Sequence, residues 1–131
     1  MKKIVKSEED WKKILTEEEF LITRKKATEP SFSGKEFNII NGGSFICKCC
    51  KANLFNSFTK YNSGCGWPSF YDQISPEAIK TAKDTSHGMT RTEILCARCD
   101  SHLGHLFNDG PEQTGLRYCV NSLSIDYEEN E

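Results

Sequence analysis

The 131-residue chain contains no run of apolar residues approaching 18, no block of one charge sign, no low-complexity segment, and no repeat beyond a pair of short cysteine motifs. The first absence excludes a membrane-spanning helix. With 17 Lys and Arg against 19 Asp and Glu, the net charge of −2 leaves no footprint for nucleic acid or an anionic membrane surface. The N-terminal Met-Lys-Lys-Ile-Val is basic, but Lys6-Ser7-Glu8-Glu9-Asp10 follows where a secretory leader needs an apolar stretch. The expectation is a soluble, cytoplasmic protein folded as one domain over residues 1–131.

A pure disulfide scaffold is also excluded, because seven cysteines leave at least one thiol outside any complete pairing. Four of them form two CxxC pairs, Cys47/Cys50 and Cys96/Cys99, the donor set of a tetrahedral structural zinc site. The intervening 45 residues exceed the spacing of a simple zinc ribbon, so the fold itself must bring the two knuckles together. Cys49 is surplus, since a tight CxxC turn points its first and last cysteines at the metal.

Ser7 ahead of Glu8-Glu9-Asp10 reads as an N-cap with an acidic first turn, and Trp11, Ile14 and Leu15 follow at helical spacing. Thr16-Glu17-Glu18-Glu19 is a capping box that opens a second short helix through Phe20 and Leu21. Together they predict a helical segment over about residues 7–22 that packs on a core. Residues 28–34 should form an ordered connection with one buried aromatic, Phe32. From about residue 36 to 125, short strands between Gly, Pro, Asn and Asp turns predict a mainly antiparallel β core. That pattern places a strand at 36–40, core side chains at Leu54, Phe55 and Phe58, a short helix or turn at Ser75-Pro76-Glu77, and a polar loop at 84–91. A strand at 92–95 leads into the second knuckle, and the acidic tail from Asp126 should fray.

In a strand over residues 116–123, period two puts Arg117, Cys119 and Asn121 on one face. A nearby cation lowers a thiol's pKa from about 8.5 and raises its thiolate fraction. Free cysteine is often an inert buried hydrophobe, yet a charge and an amide are poor lining for an inert position. Cys65 sits in Gly64-Cys65-Gly66-Trp67-Pro68, where the glycines permit close approach and the proline biases Trp67 to extended backbone. His105 and Phe107 share a face of an extended segment, and Gly104 allows a bend from His102. Either histidine could bind zinc, but two complete CxxC pairs fill a tetrahedral site, which leaves both imidazoles for proton transfer. These residue types describe a two-cysteine redox enzyme in which one thiolate attacks and the other resolves the oxidised sulfur. Trp67 and Phe107 suit a methyl or thioether held near the nucleophile. A zinc module that only binds a partner, or a redox sensor without turnover, remains an alternative at this point.

Several ordered motifs carry a resemblance over nearly the whole chain, from Trp11 to about Ile125. They are Cys47-x2-Cys50, residues 63–70 (SGCGWPSF), Arg91-Thr92-Glu93, Cys96-x2-Cys99, His102-Leu103-Gly104-His105, Asp109-Gly110-Pro111 and Arg117-Tyr118-Cys119-x-Asn121-Ser122. Together they closely resemble the B-type methionine sulfoxide reductases, the peptide-methionine (R)-S-oxide reductases. The resemblance implies two antiparallel β-sheets with short N-terminal helices, and zinc held by Cys47, Cys50, Cys96 and Cys99. It implies Cys119 as the nucleophile that becomes a sulfenic acid, and Cys65 as the resolving thiol that forms a disulfide with it, reduced in turn by thioredoxin. His102, His105 and Asn121 would bind or protonate the sulfoxide oxygen, Arg117 would favour the Cys119 thiolate, and Trp67 with Phe107 would cradle the methyl group. Protein-bound methionine sulfoxide would be the substrate of an enzyme expected to be a monomer. The chain departs from the family pattern at Lys51, where glycine is expected, at Asn108, where proline is common, and in the extra thiol of Cys49.

Overall fold

A computed structural model describes residues 3–34 and 36–130 of the chain. Two helices come first, α1 (Glu8–Ile14) and α2 (Glu17–Lys25). The Ser7 side chain caps α1 by accepting from Asp10 N, and Thr16 with Glu19 forms the full capping box of α2. Such caps contribute about 1 kcal/mol each by satisfying amide groups that no helical carbonyl reaches. Helix α2 runs three residues past the expected end and stops where Lys26 turns left-handed, at φ 62°. Trp11, Leu15 and Phe20 are buried in the core, but Ile14, expected in the same stripe, is 54% exposed because it lies on the outer side of the last turn of α1.

Among the described residues nine strands follow: β1 (Gly43–Cys47), β2 (Asn53–Asn56), β3 (Lys60–Tyr61), β4 (Ser69–Phe70), β5 (Ile79–Asp84), β6 (Arg91–Cys96), β7 (His102–Phe107), β8 (Arg117–Val120) and β9 (Ile125–Glu129). They form two antiparallel sheets, ordered β2-β1-β9 and β3-β4-β8-β7-β6-β5. The mainly β, two-sheet expectation holds. Aromatic side chains join the sheets. Phe55 of β2 stacks on Phe70 of β4 with centroids 4.1 Å apart, and Phe45 of β1 meets the edge of Phe70 at 5.0 Å. Phe55 also meets Tyr118 of β8. Each such ring buries enough apolar surface to contribute roughly 1.5–3 kcal/mol.

Several local expectations fail for identifiable reasons. Residues 36–40 form no strand, because Ile40 N and Asn41 N donate to the Glu129 carboxylate instead of to a ladder. The tail is not frayed as far as Glu129: Ile125–Glu129 pairs along the whole of β1. Phe58 is 77% exposed, since it lies in a one-turn 3-10 segment whose flanking Ser57 and Thr59 take the inward positions. Phe32 is also exposed, with φ 65° and its N–H given to Gly66 O. Ser75–Ala78 forms a turn, closed by Ala78 N donating to Ser75 O, and β8 ends at Val120 where Asn121 opens another 3-10 turn.

Register places the chemistry. Alternation sends Tyr118 and Val120 of β8 into the core and Arg117 and Cys119 to the opposite face of the six-stranded sheet. Across that face Ala82, Glu93, His105, Cys119 and Ser69 are successive partners, one from each of β5, β6, β7, β8 and β4. His102 and His105, three residues apart, would face opposite ways on a regular strand. A bulge corrects this, because Ile94 pairs with Gly104 and Leu95 with His102, so Leu103 is the extra residue and both imidazoles share one face.

At Gly104 the backbones of β7 and β8 approach so closely that an added Cβ would meet Cys119 O at 1.9 Å. Gly104→Ala should therefore destabilise the protein by about 1–3 kcal/mol. A thermal midpoint several degrees lower in calorimetry, with the Cys119 environment disturbed, is the expected outcome; an unchanged midpoint would contradict it.

Candidate active site

Two matched turns bring the four knuckle cysteines together. In each, the residue after the second cysteine is left-handed and its N–H returns to the first: Lys51 N to Cys47 O at 2.9 Å, and Asp100 N to Cys96 O at 2.9 Å. This explains the departure at Lys51: the position has the φ of 68° that glycine takes without cost. The Cys47, Cys50, Cys96 and Cys99 sulfurs all lie within 4.8 Å of one another. Cys47–Cys99 and Cys50–Cys96 are 3.6 Å apart. A tetrahedral ion with metal–sulfur bonds of about 2.3 Å sets sulfurs roughly 3.8 Å apart, so four thiolates in this arrangement fit zinc. Because Cys47 ends β1 and Cys96 ends β6, the cluster spans both sheets. Arg24 of α2 reaches it too, donating to Cys99 O at 2.9 Å and to Cys99 Sγ at 3.8 Å. Cys49 is buried beside these thiols but is not among the four that converge.

A second thiol pair lies apart from this cluster. Cys119 Sγ, in a residue 8% exposed, is 3.2 Å from Cys65 Sγ. Cys65 rides on a loop whose glycines, Gly64 and Gly66, both have positive φ, a conformation only glycine adopts freely. Ser63 Oγ donates to Cys65 Sγ at 3.0 Å, and Ser69 Oγ lies 3.4 Å from it. Burial acts to raise the Cys65 thiol, but the Ser63 and Ser69 hydroxyls outweigh it and bring the thiol down to about 7. Burial pushes the Cys119 thiol up to about 12, and the adjacent Cys65 sulfur adds to this; Arg117 pulls the other way without prevailing. In this closed arrangement Cys65 ionises more readily than Cys119. Arg117 itself is held by Asp109 through contacts of 2.8 and 3.1 Å, and its guanidinium lies 4.2 Å above the Phe107 ring.

The two sulfurs open in different directions. Cys119 lines a small pocket of about 70 Å³ with Trp67, His105, Phe107 and Asn121. Cys65 lines a separate, wider opening with Asp109 and Arg117. A strap from the end of α2 shapes the first pocket. Glu29 O accepts from Trp67 Nε1 at 2.9 Å and orients the indole, and Glu29 N donates to Asn121 Oδ1 at 3.0 Å. Asn121 Nδ2 spends one hydrogen on Leu103 O, leaving the other for the pocket.

His105 Nε2 meets Asp84 Oδ2 at 2.7 Å, and His102 Nδ1 meets Glu93 Oε2 at 2.6 Å. Burial, the largest influence, keeps the His102 imidazole below its ordinary value despite Glu93. Asp84 is held well below the usual carboxylate range by His105 first and Ser86 next. The thiols, histidines and aromatics of the site are legible in the sequence, whereas Asp84, Glu93, Ser63, Ser69 and Glu29 take their places only in the folded chain. A signal existed for Glu93, a carboxylate between Arg91 and Leu95 on the strand face that period two shares with neither Thr92 nor Ile94.

Fold and site define a class: a two-sheet antiparallel β protein with a four-cysteine cluster able to hold a metal and a close thiol pair beside an aromatic pocket. A family model described as the SelR domain matches residues 15–129, and the chain belongs to that family. It is similar to the peptide methionine sulfoxide reductase MsrB of Acinetobacter baylyi, 53% identical over all of this chain and 94% of the relative. Its likeness to MsrB of a Synechococcus strain is 56% over 94% of the chain and 90% of the relative. With MsrB of Acinetobacter baumannii it shares 51% identity over 95% of the chain and 90% of the relative.

Two thiols 3.2 Å apart predict a coupled titration. Removing Cys65 removes the second influence that raises Cys119, while burial remains. In Cys65→Ser, capture of Cys119 by iodoacetamide, followed by peptide mass spectrometry, should reach its half-maximal rate at lower pH than in the wild type. An unmoved profile would show that Cys65 does not restrain ionisation of Cys119.

Proposed function

We propose that the protein is an oxidoreductase that reduces methionine sulfoxide to methionine, acting on the R epimer in oxidised proteins. One observation carries this reading. Cys119 faces an aromatic pocket sized for a small apolar group while Cys65, its neighbour at 3.2 Å, opens elsewhere. Substrate and reductant can then approach the same thiol pair from different sides.

The substrate methyl packs between Trp67 and Phe107, and the sulfoxide oxygen lies toward His102, His105 and Asn121. Movement of the glycine-flanked loop takes Cys65 away, and the nearby Arg117 favours the thiolate on Cys119. That thiolate attacks the sulfoxide sulfur. The oxygen takes up one proton and passes to Cys119, leaving methionine and a Cys119 sulfenic acid. The Cys65 thiolate then attacks the Cys119 sulfur, a disulfide forms as the S–O bond breaks, and the leaving oxygen takes up a proton and departs as water. A dithiol protein, thioredoxin, attacks the disulfide and carries off both oxidising equivalents as its own. Since Cys65 has the more accessible sulfur, it is the one attacked.

Cys47, Cys50, Cys96 and Cys99 would hold a structural zinc ion, which would brace the two sheets apart from the reacting thiols. The chain works as a monomer and a single domain. Among the described residues no helix is long and apolar enough to cross a membrane, which is compatible with the cytoplasm.

Dithiothreitol-driven reduction of separated R and S epimers of a dabsylated methionine sulfoxide tests the reaction. Turnover of the R epimer alone, lost in Cys119→Ser, is the expected outcome, and Cys65→Ser should keep dithiothreitol-driven turnover but lose that driven by thioredoxin. No turnover of either epimer by folded wild type overturns the assignment. For the metal, elemental analysis should find one zinc per chain, and Cys96→Ser should lose both zinc and thermal stability. A zinc-free wild type of equal stability would sink this part.

A further inference from the structure

The two histidines are held from behind by carboxylates, and the carboxylates grip opposite nitrogens. Asp84 Oδ2 meets Nε2 of His105, which leaves Nδ1 as that ring's free nitrogen. Glu93 Oε2 meets Nδ1 of His102, and the remaining Nε2 is buried with no protein partner. The rings are 5.7 Å apart and nearly perpendicular. Two imidazolium ions at that separation repel, so the pair disfavours having both rings charged.

The surroundings decide which is which. His102 is 3% exposed, and its partner Glu93 already has a cation, Lys26, at 3.2 Å from its other oxygen. His105 lines the Cys119 pocket, and Asp84 reinforces its own negative charge with an N–H from Ser86 at 2.9 Å. The charged and titratable groups around His105 are Asp84 on β5, Arg91 and Glu93 on β6, His102 on its own strand and Cys119 on β8, with Lys26, Lys83 and His87 lining the opening on the Asp84 side. The nearest contact of Arg91 to Asp84, 3.5 Å, is longer than the one from His105.

We propose that Asp84 and Glu93 are positioning residues that assign the two imidazoles different tasks: Asp84 pairs with His105 as the imidazolium, whose Nδ1–H is the proton donor, and Glu93 holds His102 neutral as the acceptor. This rests on the sulfoxide-reductase reading and deepens it. As the Cys119 thiolate attacks the substrate sulfur, one proton leaves His105 Nδ1 and arrives on the sulfoxide oxygen. The hydroxyl so formed, carried to Cys119 as the sulfenic acid, donates its hydrogen to His102 Nε2. His105, now neutral with its proton on Nε2 toward Asp84, regains the lost proton from solvent.

Single-turnover formation of methionine, measured against pH, tests the assignment. Asp84→Asn should lower the rate by about 10²-fold, the lower end of what positioned proton transfer contributes. It should also move the alkaline limb of the profile to lower pH, because the imidazolium has lost its anion. Asp84→Glu should restore the position of the limb, and Glu93→Gln should slow the reaction without moving it. Imidazole nitrogen NMR of the wild type gives a reading that needs neither variant nor turnover: His102 should be neutral with its proton on Nδ1, and His105 should carry Nε2–H throughout. An Asp84→Asn protein of native thermal stability with an unmoved profile would overturn the proposal, as would NMR showing His102 charged before His105. Failure of the underlying function is distinct, since the wild type would then form no methionine at any pH.

Discussion

Four residues of β8 hold the molecule's two halves in one relation. Tyr118 and Val120 enter the core and Arg117 and Cys119 face away from it, so the packing that stabilises the sheet pair also sets where the thiol points. A slip of one residue would bury Arg117 and expose Tyr118. The ring of Phe55, against Tyr118 and stacked on Phe70, makes that slip costly, and Gly104 lets β7 lie close enough for His105 to pair directly with Cys119.

Electrostatics divides labour between two sulfurs that are chemically alike. Two thiolates at 3.2 Å repel too strongly to coexist, and the hydroxyls of Ser63 and Ser69 give the charge to Cys65 while the pair is closed. Burial and the neighbouring Cys65 sulfur favour the protonated form of Cys119, the form less open to oxidation. On the proposed mechanism the same contact that restrains the nucleophile at rest becomes the bond that regenerates it. The short distance serves both states.

The four-cysteine cluster and the strap after α2 act as braces at other places. The cluster joins the ends of β1 and β6, which belong to different sheets, and Arg24 ties α2 to it. Beyond the helix, Lys26 reaches Glu93, and Glu29 reaches Trp67, Asn121, Ser122 and Leu123. The helices therefore do more than cover the core: they carry in the segment that orients the indole and one carboxylate. A buried carboxylate such as Glu29 is expensive unless its oxygens are paired, and here each accepts from Ser122 Oγ.

Local chemistry was legible wherever a short stretch carries its own reason. The N-cap at Ser7 and the capping box at Thr16 announced the helices, the CxxC spacing announced the cluster, and the glycines around Cys65 announced a loop able to approach another backbone. Phe58 and Phe32 misled because hydrophobicity gives no direction: a one-turn 3-10 segment turns one ring outward, and a left-handed residue presents the other to solvent. The strand at 36–40 was absent and the tail was ordered because both depend on β1, where β9 takes the ladder and the Glu129 carboxylate takes the amides before it. The sequence by itself determined the residue types of the site and the alternation that puts Arg117 and Cys119 on one face, since period two is a property of any extended chain. Tertiary structure alone decided that Cys65 meets Cys119, that a bulge at Leu103 turns His102 toward His105, and that Asp84 and Glu93 stand behind them. Those contacts join residues up to 54 positions apart, and only strand register brings them together.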